Sequence, residues 1–112
     1  MVINTDALYR ARETYGEDKQ LAVVIEELAE LSAVLAKYYR YDDKDKAVAE
    51  LSADVIGEVA DVYIVLEHVK SIFNLSDEAV ELSAFYKTER LERWLRASDS
   101  IEQTLIDRGL DG

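Results

Sequence analysis

The sequence predicts an all-α protein, a bundle of four to five antiparallel helices completed by oligomerisation. Three observations predict it. The 112 residues contain no proline and only four glycines, two of them in the last four positions, so little interrupts helix propagation. Apolar residues recur at alternating steps of three and four, the period of an amphipathic helix. The periodic segments also run far beyond the length of a strand, which decides against strands even where valine and isoleucine are dense.

Taken in order, Asn4 or Thr5 is placed to cap a first helix over about 5–15, and Gly16 to end it. A second helix over about 18–40 carries Leu21, Val24, Leu28, Leu31, Leu35 and Tyr38, a seam for another helix. The stretch YRYDDKDK (39–46) is polar and reads as a connection. A third helix over about 47–73 carries Leu51, Val55, Val62, Val65, Val69 and Ile72. NLSDE (74–78) is a stop and restart, with Ser76 as N-cap and Asp77 and Glu78 in the first turn of a fourth helix. That helix is expected to run to about Arg96, with 98–112 as a short helical tail. No linker or low-complexity stretch interrupts the chain, which is read as one domain.

Composition narrows the function. With 49% apolar residues a packed core is expected. The absence of cysteine excludes disulfides, thiolate metal sites and a cysteine nucleophile, and a single histidine disfavours zinc. A net charge of −11 argues against nucleic acid or an anionic membrane as partner and in favour of a cation. MVINTDALYR has no basic segment followed by an apolar one, and no run is long enough to span a bilayer, so a cytoplasmic location is expected.

The carboxylates are the sharper signal. With Glu58 as the reference direction on the third helix, Leu51, Val65 and Val69 lie about 20° away, and Val62 and Ile72 about 40°. Glu58 is thus inside the apolar face. Asp54 and Asp61 fall about 40° and 60° to one side, making one acidic patch. On the second helix Glu27 lies between Val34 and Tyr38, Glu30 follows one turn on, and Glu26 points further out. Ionised carboxylates on such faces cost several kcal/mol or more unless they protonate, pair with a base or bind a cation. Neither face carries a lysine or arginine, so a hard divalent cation held by oxygen ligands, Mg²⁺ or Mn²⁺, is the expected resolution.

Two other functions compete. A di-iron carboxylate bundle needs Glu-x-x-His on two helices, but the one histidine, His68, follows Val65 at that spacing. A non-catalytic acidic helical interaction protein mimicking nucleic acid is compatible with the charge, but it would spread its acids over exposed faces.

EELAE (26–30) followed by EVAD (58–61) resembles the all-α nucleoside triphosphate pyrophosphohydrolases, the MazG-like superfamily that includes dimeric dUTPases, dCTP pyrophosphatases and phosphoribosyl-ATP pyrophosphatase. The likeness covers roughly 17–96 and is closest to the compact phage and bacterial members. It implies that Glu27, Glu30, Glu58 and Asp61 ligate Mg²⁺, with Glu26 orienting a ligand or water; Asp54, from its place in the acidic patch, is auxiliary. It implies cleavage of a (d)NTP between the α- and β-phosphates, and dimers or tetramers. Lys87 and Arg90, a basic pair on one face of the last helix, resemble the family's phosphate-binding pair, and Gln20 a glutamine near the nucleotide.

Overall fold

The computed structural model describes residues 1–109, all of whose regular structure is helical: α1 (Thr5–Tyr15), α2 (Glu17–Arg40), α3 (Lys44–Ile72) and α4 (Asp77–Asp107). The chain falls into two units, Met1–Leu75 with α1 to α3, and the segment from Ser76 onward with α4. None of these helices is long and apolar enough to cross a membrane.

In the first unit each boundary has a local cause. Asn4 accepts a hydrogen bond from the Ala7 amide (3.0 Å) and so caps α1. Gly16 closes it with φ at +91°, a backbone conformation that favours glycine, and its amide bonds the Arg12 carbonyl at 2.8 Å. The expected connection 39–46 shrinks to 41–43. Asp43 accepts from the Lys46 amide and starts α3 three residues before the expected 47. Lys44 donates to the carbonyls of Tyr38 (2.9 Å) and Tyr39 (3.1 Å), satisfying the end of α2. Tyr41 donates to Glu50 at 2.7 Å across the same turn.

The core sits between α2 and α3. Val34, Ala47 and Leu51 are buried together, with Leu31, Tyr41 and Val55 packed against them, and Val24 and Val65 are buried further along. On α3 the buried and half-buried positions Leu51, Val55, Val62, Val65, Val69 and Ile72 are the expected ones. On α2 the expected seam holds in part: Val24 is buried and Leu31 packs against the core. Gln20 and Val34 are buried as well, whereas Leu28 and Leu35 are 43% and 49% exposed. The apolar surface of α2 is wider than one seam, so periodicity alone fits two overlapping stripes.

The second unit is one helix. Ser76 caps it by accepting from the Ala79 amide (3.1 Å). The expected break after Arg96 does not occur. Ser98-Asp99-Ser100 holds neither proline nor glycine, so nothing breaks the ladder of backbone hydrogen bonds and α4 continues to Asp107. Positions 110–112 of the expected tail lie outside the described residues.

Candidate metal centre

Past the Val34–Leu51 core, α2 and α3 bring four carboxylates together. Glu27, Glu30, Glu58 and Asp61 each offer one oxygen, and these oxygens all lie within 4.8 Å of one another. The i, i+3 spacing on each helix stacks two acids on one face, and the packing of the faces joins the pairs. Glu27, Glu58 and Asp61 are half-buried, while Glu30 is exposed. Such a closely spaced set of oxygens suits a hard cation that takes six or more oxygen ligands.

The electrostatics are uncompensated. Burial, then the charges of Glu30 and Asp61 and more weakly Glu58, push the Glu27 carboxyl up to about 7 from the usual 4.5. Glu58 is pushed upward in the same way, by burial first, then by Glu30, Asp61 and Asp54. Every influence on either group disfavours its charged form. The surface ion pairs Arg10–Asp6, Lys46–Glu50 and Arg96–Glu92 involve none of the four acids. One oxygen of Glu27 and one of Glu58, the Oε2 of each, are buried without a hydrogen-bond partner. Two orphaned carboxylate oxygens in one cluster are what a cation would satisfy, so the residues present fit a divalent metal.

The other expected site residues are not among these four. Glu26 is exposed and is not among the four. Asp54, one turn before Glu58, is exposed but contributes to its field. Gln20 is buried on α2, about two turns before Glu27, rather than an exposed helix-start residue. Lys87 and Arg90 belong to α4, where they line a shallow surface hollow with Ser83, Tyr86 and Arg93.

One polar contact escaped the reading of the sequence. His68, 3% exposed on α3, accepts a hydrogen bond at Nδ1 from Nη1 of Arg12 on α1 at 2.9 Å. Its only signal was position, two turns beyond Asp61 toward the end of α3.

No family model, no curated protein and no solved structure matches the chain.

Proposed function

We propose that the protein is a Mg²⁺-dependent nucleotide pyrophosphohydrolase that cleaves a (d)NTP between its α- and β-phosphates, giving the (d)NMP and pyrophosphate. The observation that carries the reading is the pair of buried, unpartnered Oε2 atoms of Glu27 and Glu58 inside a four-carboxylate cluster. The motif EELAE followed by EVAD, with its resemblance to MazG-like enzymes, supplies the reaction class. Glu27, Glu30, Glu58 and Asp61 would hold Mg²⁺, with Mn²⁺ as a substitute. When bound, the metal supplies charge neutralisation at phosphate oxygens and acidifies a water.

The chain's own residues would do the rest. In the metal-free protein the Glu27 carboxyl, at about 7, holds a proton part of the time near neutral pH, and Glu58 is raised in the same direction; the metal would displace such protons on binding. Glu26, exposed beside the cluster on α2, would orient a ligand or water, and Asp54 would add to the negative field. Lys87 and Arg90 would bind phosphate oxygens, and Gln20 would serve the nucleotide side. In this reading α2 and α3 run antiparallel and the protein is a cytoplasmic homo-oligomer, a dimer or tetramer. Leu28 and Leu35 of α2 and Ile56 and Tyr63 of α3 are all more than 40% exposed, an apolar surface that a second copy would cover.

The test is incubation with a panel of canonical and modified (d)NTPs and Mg²⁺, with products separated by chromatography. Monophosphate and pyrophosphate are expected; orthophosphate with diphosphate would refute the bond assignment. No turnover of any nucleotide, together with tight capture of a basic protein, would favour the acidic interaction protein instead.

A further inference from the structure

We infer that Arg12 and His68 form a proton-sensitive latch, which holds α1 against α3 and releases it about Gly16 when His68 is protonated. Three features of the first unit carry this. α1 contains no buried residue, so little apolar burial holds it in place. It joins α2 through Gly16 alone, whose positive φ makes a sharp corner at which a change of backbone angle can swing the whole helix. The Arg12–His68 bond, between residues 56 apart in sequence, ties α1 to α3.

The bond works in one protonation state only. Arginine has donors and no acceptor, so Nδ1 of His68 must present a lone pair, which requires the neutral ring. Protonation turns that nitrogen into a donor facing another donor and sets two cations 2.9 Å apart. Burial first, and the Arg12 charge second, accordingly lower the pKa of His68 below its ordinary 6.5. On the α1 side the charge acting on the ring is that of Arg12. Among its buried residues α2 offers the uncharged Gln20, while its nearby Glu17, Asp18 and Lys19 are exposed. On α3 itself Glu67 and Lys70 pair with one another at 2.7 Å.

The sign follows. The docked state favours the neutral ring, so release takes up a proton. Docking is fully present above the ordinary histidine value of about 6.5 and weakens as the pH falls below it. One proton coupled to one release raises the released fraction by at most ~10-fold per pH unit. Release also bares part of α3. The segment leading into α1 (Val2, Ile3 and Asn4), with Ala7 and Leu8 of its first turns, lines a cleft with Ile64, about one turn past Asp61. The acid cluster responds to pH in the opposite direction, because neutralising Glu27 and Glu58 relieves their repulsion. α1 and the α2–α3 pair should therefore diverge in acid.

Hydrogen exchange read by mass spectrometry on the whole metal-free chain, at about pH 7.5 and about pH 5.5 and corrected for intrinsic rates, tests this. Protection of residues 5–15 is expected to fall several-fold at the lower pH while α2 and α3 hold or gain protection. His68→Gln keeps an acceptor that does not titrate in this range, and should abolish the response of α1. The single histidine gives an independent readout needing no variant. Its ¹⁵N spectrum should show an unprotonated Nδ1 at neutral pH, and a midpoint that tracks the exchange of α1. Equal protection of α1 at both pH values, loosening of all three helices together, or a proton on Nδ1 at neutral pH would each overturn the latch.

Discussion

Magnesium binding at pH 7 should release protons, and the structure sets how many. The Glu27 carboxyl lies at about 7, so close to that pH it is about half protonated in the metal-free protein. A ligand carboxylate must be ionised to hold the metal, so binding there displaces about 0.5 proton from Glu27. The same group would give up more of its proton at lower pH and less at higher pH. Glu58, shifted in the same direction, adds to the total. The perturbation is Glu27→Gln, which removes the titrating group and keeps its size. The assay is isothermal titration of Mg²⁺ in buffers of differing ionisation enthalpy, where the slope of apparent enthalpy against buffer enthalpy counts protons. Wild type should show release that declines as pH rises, and the variant a smaller release with weaker binding. Binding with no proton release anywhere between about pH 6 and pH 8 would refute the reasoning, as would unchanged release in the variant.

Three further outcomes are expected. In the metal-free protein the raised carboxyls make the folded state bind more protons than the unfolded chain between about 4.5 and about 7, so thermal stability should fall as pH rises through that window. Glu58→Gln should flatten this trend, raise the metal-free Tm at about pH 8, and erase both turnover and the Tm gain from added Mg²⁺; a variant with wild-type turnover would remove Glu58 from the site. Leu51→Ala, at a site 7% exposed between Val34 and Ala47, should cost about 2–4 kcal/mol in urea unfolding of the metal-free protein, and a loss under about 1 kcal/mol would place the core elsewhere.

Much of the site was legible in the sequence because a helix converts spacing into direction. Glu58 among Leu51, Val65 and Val69 is displaced by less than a quarter turn from three apolar residues, so its inward position follows from the period alone. The same logic was weaker on α2. Of the seam Leu21, Val24, Leu28, Leu31, Leu35 and Tyr38, Val24 and Leu31 face the core while Leu28 and Leu35 are exposed, and only packing decides which members of so wide a stripe are buried. The early start of α3 depended on Asp43 reaching the Lys46 amide, a cap that looked like one more polar residue in a polar connection. The continuity of α4 through Ser98-Asp99-Ser100 shows that residues which favour caps do not end a helix when nothing breaks its hydrogen bonds. The Arg12–His68 contact was beyond reach, since no local period relates two side chains on different helices.

The most direct measurement is anomalous diffraction from crystals of the protein soaked in Mn²⁺. A single strong peak or a close pair of peaks, within coordination distance of Glu27, Glu30, Glu58 and Asp61, is the expected result. Diffraction that shows those four side chains ordered, with no metal peak among them at saturating Mn²⁺, would contradict the proposed metal centre and with it the proposed hydrolase activity.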